Sequence, residues 1–340
     1  MSNWNKNAGY GAGMHAFVRT LVPTFGNIFV LMNSSDSDEA NYHHMQEIFT
    51  PNPDGLVTFY TDLATAYAAM ESNNNDVLLL DANSTHSHTG ELAVSGNRAH
   101  FIGMDGGGRL HGQGAKIQTA DGTAAVSAMH VSGTRNTFRN IKLIQGDNES
   151  TSLNVLKESG ESSLYKNCSF VFGLATRLGG TTTYEILMSG DSTEFHDCTI
   201  GADTLVTSAA RAGVAFDVIT SDAAKSTVWK DCVFNVLTTS ADFDFVRVIA
   251  TTDLHFGHLF INPIFLATIS DNLSGITTTV AVDSANGLNA GNILFVNPAT
   301  NATSFADATY NSNFKVIGAS MADSGDADVS ATAGVGQVPT

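Results

Sequence analysis

The feature that most constrains the fold is an internal repeat in the middle of the chain. Each copy reads aromatic, any residue, Asn or Asp, a small or apolar residue, any residue, and an apolar residue. The copies begin at Phe138, Tyr165, Phe195, Trp229 and Phe260, and a weaker one begins at Phe101. Their Asn or Asp positions are 27, 30, 34 and 31 residues apart. Units of this length must stack on their neighbours, because one unit alone cannot bury its apolar face.

A second series of positions supports the same period. Glycines precede the Asn/Asp position, or its equivalent in the weaker copy, by seven residues at Gly96, Gly133, Gly160 and Gly190. Strand-like apolar runs accompany the units at 128–131, 153–156, 184–188, 214–219 and 245–249. Leucine-rich repeats need a Leu/Asn pattern, and propeller blades need hairpin turns. The sequence therefore predicts an all-β parallel solenoid.

Each unit is expected to bend at its Asn or Asp. The aromatic residue two positions earlier should face the core, yet the following apolar residues lie at odd spacings from it. A straight strand would turn those residues outward. A residue in the left-handed region resets the alternation, and Asn and Asp tolerate that region better than other non-glycine residues. Gly103 occupies the equivalent position in the earliest copy and fits the same interpretation.

Stacking the units about 4.8 Å apart should create ladders of equivalent side chains. The predicted aromatic ladder is Phe101, Phe138, Tyr165, Phe195, Trp229 and Phe260. The predicted Asn/Asp ladder is Asn140, Asn167, Asp197, Asp231 and Asn262. The predicted cysteine ladder is Cys168, Cys198 and Cys232, in line with Ile141 and Pro263. All three cysteines are then small core residues rather than reactive groups.

The ends of the repeat region suggest the domain organisation. Residues 1–26 are predicted to form an extended N-terminal arm. Residues 27–76 should contain a leading strand and, over 62–71, a short amphipathic helix that caps the open end of the solenoid. The parallel β-helix is predicted over 77–270. Residues 271–340 are expected to form a β-rich C-terminal extension and tail.

Charge and composition exclude several functions. The chain has 16 Lys and Arg against 33 Asp and Glu, giving a net charge of −17 that opposes binding to nucleic acid. No apolar run approaches the roughly 18–20 residues of a transmembrane helix. No secretory signal is recognisable. We therefore expect neither a nucleic-acid partner nor a membrane partner, and synthesis in the cytoplasm.

Candidate chemistry is sparse. His86 and His88 could bind a metal from one strand face, but no third ligand is apparent and we interpret them as loop residues. The glycine-rich stretch 105–109 lacks phosphate-loop spacing and is also interpreted as a loop. Groups that a polysaccharide lyase or a glycosidase could use are Asp217, Asp222, Asp242 and Asp244, with Arg211 and Arg247. No carboxylate pair stacks outside the bend ladder, so the sequence predicts no catalytic residues, no metal, no cofactor and no enzyme activity.

Several coil motifs carry a resemblance to known proteins. The segments LYKNCSF at 164–170 and WKDCVF at 229–234 resemble coils of right-handed parallel β-helix proteins of the pectate-lyase-like type. That resemblance covers roughly residues 60–270. Residues 193–204 with Ser208-Ala209-Ala210, and residues 26–30 leading to 75–77, are similar to β-helix virion proteins of tailed bacteriophages.

The resemblance implies a structural component of the virion, made in the host cytoplasm. We expect a non-enzymatic, multi-copy capsid decoration or stabilising protein that forms a homotrimer and contacts the major capsid protein. The alternative is a tail-spike or fibre protein that binds, and could cleave, host surface glycans. A bacterial extracellular β-helix enzyme is disfavoured by the absent signal.

Overall fold

The computed structural model confirms an all-β, right-handed parallel β-helix with a short helix near its N-terminal end. It describes residues 26–32, 57–82, 84–104, 114–209, 211–217, 224–240, 243–249, 254–255, 257–269, 282–284, 293–300 and 314–317. Nearly all of the predicted N-terminal arm, and most of the predicted C-terminal extension, lie outside these residues. Within these ranges, no helix is both long enough and apolar enough to cross a membrane.

Three parallel sheets form the faces of the β-helix. Sheet A contains, in spatial order, β2 (Val57–Tyr60), β1 (Ile28–Leu31), β3 (Val77–Leu80), β6 (His100–Gly103), β9 (Thr137–Arg139), β12 (Leu164–Lys166), β15 (Glu194–His196), β20 (Val228–Lys230), β24 (His258–Ile261), β27 (Ile293–Val296) and β29 (Phe314–Ile317). Sheet B contains β28 (Ala299–Thr300), β25 (Ile264–Ile269), β21 (Val233–Thr238), β16 (Thr199–Ile200), β13 (Ser169–Phe172), β10 (Lys142–Gln145), β7 (Lys116–Thr119) and β4 (Thr85–His88), and β17 (Val206–Thr207) pairs with β21. Sheet C contains β26 (Val282–Ser284), β22 (Asp244–Val248), β18 (Ala212–Phe216), β14 (Tyr184–Met188), β11 (Asn154–Glu158), β8 (Ser127–Val131) and β5 (Leu92–Val94). A separate two-stranded sheet pairs β19 (Ala224–Lys225) with β23 (Leu254–His255).

Each coil runs from sheet C through a turn to sheet A, bends into sheet B, and returns to sheet C through a loop. The loop between β13 and β14 contains a 3-10 turn, Ala175–Gly179. The helix α1 (Leu63–Ala68) begins after Asp62, whose carboxylate accepts a hydrogen bond from the Thr65 backbone N–H at 2.8 Å. Leu63 and Ala66 pack into the main core, so the helix lies where the capping segment was predicted.

The bend between sheets A and B is formed by Asn and Asp residues in the left-handed region. The φ angle is 56° at Asn140, 52° at Asn167, 55° at Asp197 and Asp231, and 49° at Asn262. The side-chain amide of Asn167 donates to Asn140 Oδ1 at 2.9 Å. Equivalent side chains therefore link one coil to the next along the axis.

Gly103 fills its position for a different reason than predicted. Its φ is not in the left-handed region, but a Cβ at this position would lie 2.0 Å from the Asn140 carbonyl oxygen. The turn from sheet C to sheet A has the same requirement, because a Cβ on Gly133 would lie 2.0 Å from the Gly96 carbonyl oxygen. Glycine is needed at these positions because the backbones of successive coils approach closely.

A second row of left-handed residues lies in the turn from sheet C to sheet A. It contains Arg98, Arg135, Ser162, Ser192 and Ser226, with φ between 51° and 59°. The backbone N–H groups of the first four donate to carbonyls of the next coil at 2.7–2.9 Å. Arg and Ser carry no marked preference for this region, so residue type did not reveal the row.

The aromatic rings stack in the interior of the helix. The ring centroids of Tyr165 lie 4.8 Å from Phe138 and 4.7 Å from Phe195, at 7° between planes in both cases. The Trp229 ring lies 3.9 Å from Phe195 and 5.5 Å from Phe260. One ring per coil therefore forms a continuous apolar column in offset-stacked contact.

The three cysteines lie beside this column. Cys168, Cys198 and Cys232 are all buried and none forms a disulfide. Burial raises the pKa of the Cys198 thiol well above its usual value, so the reactive thiolate is disfavoured.

One carboxyl group is buried against the column. Glu158 is fully buried; its Oε2 accepts a hydrogen bond from the Tyr165 hydroxyl, and its Oε1 accepts one from the Gly160 backbone N–H at 2.8 Å. Burial raises the pKa of Glu158 to about 8, although both hydrogen bonds oppose the shift. The side chain is therefore protonated at neutral pH in the folded state and ionised in the unfolded state.

This difference predicts a pH-dependent stability. Because the folded-state pKa is raised, the stabilisation is fully present below pH 4.5 and is lost as the pH rises toward 8. The slope is at most about 1.4 kcal/mol per pH unit. We expect Glu158→Gln to remove this slope, measured from urea unfolding at several pH values, while Glu161→Gln at an exposed position keeps it. An unchanged slope in Glu158→Gln would contradict the raised pKa.

Candidate functional site

The two arginines and the carboxylates that the sequence analysis named as candidate catalytic groups do not form one site. Asp222 and Asp242 lie outside the described residues. Arg211 is buried and binds Glu185 Oε2 at 2.6 Å, with its guanidinium 5.0 Å from the centre of the Phe172 ring. Burial raises the pKa of Glu185, and Arg211 opposes the shift. This ion pair is enclosed by the protein, with side-chain exposures of 1% and 5%, so we assign it a structural role.

Asp244 and Arg247 lie on the outer face of sheet C. Arg247 Nη2 is 2.5 Å and Nε 2.6 Å from Asp244 Oδ2. They border a small apolar cluster separate from the interior core, which consists of Tyr184, Ala212 and Ala215 with Leu187 and Ile249 packed against it. Burial raises the pKa of Tyr184; Arg247 opposes the shift, and Asp217 adds to it. Asp217, Asp244 and Arg247 are thus brought near Tyr184.

The histidines do not form a metal site in the described part of the chain. His86 and His88 lie in β4 rather than in a loop, and both are buried on one face of the strand. Burial lowers the pKa of His88, and burial followed by the Arg139 charge lowers that of His100 to about 4. Among the described residues, no three His, Cys, Asp or Glu side chains are grouped to hold a metal ion.

A different set of side chains converges on the outer face of sheet C. His130 Nε2 lies 2.9 Å from Ser159 Oγ, and His130 Nδ1 lies 3.3 Å from Glu91 Oε1. Glu91 precedes β5, His130 lies in β8, and Ser159 follows β11, so three successive coils contribute one residue each. All three side chains are partly exposed. The order is that of a serine nucleophile, an imidazole base and an orienting carboxylate.

The surroundings keep the Glu91 carboxylate charged. Partial burial alone would raise the pKa of Glu91, but hydrogen bonds from His130 and Ser127 and the charges of His130 and Lys157 lower it overall. Lys157 lies in register with His130 on the neighbouring strand. An ionised Glu91 can hold His130 in one orientation and stabilise the imidazolium that forms when Nε2 takes a proton.

The sequence contains a partial indication of this site in the serines that precede the turn glycines. Serines precede the turn glycines at Ser95, Ser132, Ser159 and Ser189, so the serine position itself repeats with the coil. Ser159 differs from the other serines of this row in its neighbours: His130 lies next to it on the preceding coil, and Glu91 lies next to His130 on the coil before that. No local motif joins the three residues, because the coil period alone brings them together.

Comparisons with known proteins bear on the fold. No protein-family model and no curated protein matches the sequence. The pectin methylesterase of Aspergillus niger matches in two glycosylation states: the penultimately deglycosylated form has 12% identity and a TM-score of 0.52, and the deglycosylated form has 11% and 0.51. Each match covers 93% of this chain and 91% of that chain. A pectin methylesterase from Erwinia chrysanthemi has 14% identity and a TM-score of 0.42, over 82% of this chain and 90% of that one.

The likeness to the two Aspergillus niger structures shows the β-helix fold and corrects one prediction. The prediction of a non-enzymatic protein, made because no catalytic constellation was recognised, was wrong: the Aspergillus niger structures that share the fold over most of this chain are of an enzyme. They also give no support to the capsid decoration role. Virion origin, the homotrimer and the capsid partner are not addressed by them.

Proposed function

We propose that this protein is a carbohydrate esterase whose catalytic residues are Ser159, His130 and Glu91. The observation that carries the proposal is the hydrogen-bonded order of these three side chains on the outer face of sheet C. The names of the Aspergillus niger neighbours, pectin methylesterases, support a carbohydrate ester as the substrate class.

The geometry assigns a role to each residue. Ser159 Oγ attacks the ester carbonyl carbon while His130 Nε2 removes the hydroxyl proton. The tetrahedral intermediate then collapses, the C–O bond to the alcohol breaks, and His130 returns the proton to the leaving oxygen. Water, deprotonated by His130, next attacks the acyl carbon; the bond from that carbon to Ser159 Oγ breaks, His130 returns the proton to Oγ, and the acid is released. Lys157, in register with His130 on the same outer face, is assigned the stabilisation of the oxyanion in this proposal.

The same face continues beyond the catalytic residues. Lys157 is in register with Leu187, which belongs to the apolar cluster bordered by Asp244 and Arg247. A polymer lying along the axis and reacting at Ser159 would reach the partly exposed side chains of Leu187, Ile249 and Arg247, whereas Tyr184, Ala212 and Ala215 are buried beneath them. Such a mixture is what saccharide rings, with apolar faces and polar edges, require of a binding surface.

The direct test is covalent labelling followed by hydrolysis assays. A fluorophosphonate probe, which reacts with activated serines, should modify Ser159, as located by peptide mass spectrometry. Methyl-esterified and acetylated polysaccharides should release methanol or acetate. Ser132→Ala, which alters the equivalent serine one coil earlier, should leave labelling and release unchanged. Absence of labelling together with absence of release from both polymers would refute the proposal.

The site of action in a virion is a further part of the proposal. The similarity of residues 193–204 to bacteriophage β-helix proteins supports a tail spike or fibre acting on host surface glycans. Its partners would then be other virion proteins and a glycan. Immunogold labelling of purified phage should mark the tail tip, and labelling spread evenly over the head would contradict this location.

A further inference from the structure

A cluster of positive charges lies around the bend between sheets A and B, away from the catalytic residues. Lys116 and Lys142 are in register on β7 and β10, and Arg139 and Lys166 are in register on β9 and β12. We call these four residues the cationic patch. Arg139 and Lys142 are only three residues apart across the bend, so the two pairs lie side by side.

This arrangement of charges does not stabilise the fold. Like charges directly opposite each other on neighbouring strands destabilise a sheet. Partial burial, followed by the charge of Lys116, lowers the pKa of Lys142. Partial burial also lowers the pKa of Arg139, whose Nε is buried without a hydrogen-bond partner. The patch therefore contains mutually repelling cations that are partly withdrawn from water.

No carboxylate of the described residues forms an ion pair with the patch. Within the described ranges, none of its four residues forms an ion pair. The bend residues beside it are the amides Asn140 and Asn167. At the next two coils the bend residues are Asp197 and Asp231, which directly follow His196 and Lys230 in the sequence. Among these described coils, a bend carboxylate adjoins Lys230, whereas only amides adjoin the patch, in a chain of net charge −17.

We propose that the cationic patch is a second binding site, which receives the carboxylate or sulfate groups of an acidic polysaccharide. Cations paired across strands about 4.8 Å apart can contact anionic groups repeated along a linear polymer. Single-stranded nucleic acid is disfavoured, because the outer positions nearest the patch on sheet A, Thr137 and Leu164, offer no aromatic ring for base stacking. The choice of a carbohydrate rests on the proposed function, whereas the anionic character of the ligand does not.

The test measures binding of fluorescently labelled alginate oligomers and dextran sulfate by anisotropy at several salt concentrations. We expect binding that weakens with salt, and a loss of at least about tenfold in Lys142→Gln/Lys166→Gln, with the salt slope reduced by about one for each cation removed. Arg177→Gln, which removes one charge from the loop between sheets B and C, should bind as the wild type does. Lys142→Gln should leave the urea midpoint unchanged or raise it, whereas a structural role would lower it.

The outcomes separate this proposal from the esterase activity. Binding of either anionic polymer, sensitive to the patch variants and retained in Ser159→Ala, supports the second site even if no ester is hydrolysed. Failure of both polymers to bind, or equal binding by the double variant and Arg177→Gln, overturns it. Tighter patch-dependent binding of labelled oligo-dT than of either polysaccharide also overturns it in favour of a nucleic-acid site.

Discussion

Replacing Ser159 with alanine is expected to reduce the kcat of ester hydrolysis by about 10⁴-fold or more, because the substitution removes the nucleophilic oxygen. Glu91→Gln should reduce it by roughly 10³- to 10⁴-fold, because an amide no longer stabilises the imidazolium of His130. His130→Gln should match Ser159→Ala, and the combination should be little worse than either alone, as expected for residues that act as a unit. The measurement is methanol or acetate release under saturating substrate.

Ser132→Ala is the matched control for this series. Ser132 also follows a sheet C strand and precedes a turn glycine, but it is exposed and lies one coil before Ser159. It should keep wild-type kcat. All variants should show wild-type circular dichroism and urea midpoints, since the changed side chains lie at the surface. A Ser159→Ala enzyme that retained more than a tenth of the wild-type rate would exclude Ser159 as the nucleophile.

Replacing Trp229 with aspartate is expected to abolish folding. Trp229 is fully buried between Phe195 and Phe260, and its Nε1–H donates to Thr227 Oγ1 at 3.1 Å. Losing the ring contacts alone should cost about 3–5 kcal/mol, and burying an unpaired carboxylate adds several kcal/mol more. Domains of ordinary stability have about 5–15 kcal/mol in total.

The companion variant Trp229→Phe keeps a ring in the stack. It should remain folded with a smaller loss of stability, because the contacts with Phe195 and Phe260 are largely retained and only the hydrogen bond to Thr227 and part of the ring are lost. Urea unfolding followed by circular dichroism compares the variants. A cooperative transition of Trp229→Asp within about 1 kcal/mol of the wild type would show that the stack does not support the fold.

Much of the architecture could be predicted because the same residue pattern recurs in successive coils, so that a structure assigned to one coil applies to the others. The pattern from Phe138 to Leu143 recurs in later coils, so a single assignment of the bend applied to Asn140, Asn167 and their equivalents. Local chemistry also sufficed for the capping helix, since Asp62 precedes an amphipathic run. The interpretation of Gly103 as left-handed was wrong, because the need for glycine there comes from the neighbouring coil and not from its own φ.

The candidate site was predicted poorly. The sequence drew attention to Asp244 and Arg247, which the structure places on the outer face of sheet C, and to Arg211, which it buries against Glu185. It assigned no role to Glu91 or Ser159. Buried pairs such as Glu158 with Tyr165 were also missed, because a polar residue inside an apolar run gives no sign of its partner.

The sequence by itself determined the coil: its length, its bend, its inward aromatic column and hence a parallel β-helix. Those properties follow from residue type and spacing within one unit, which backbone preference and burial fix locally. Only the tertiary structure decided which outward side chains meet, because coils of unequal length set the register along the axis. That register brings Glu91, His130 and Ser159 into hydrogen-bond distance on one face and leaves the charges of Lys116, Arg139, Lys142 and Lys166 unbalanced at the bend.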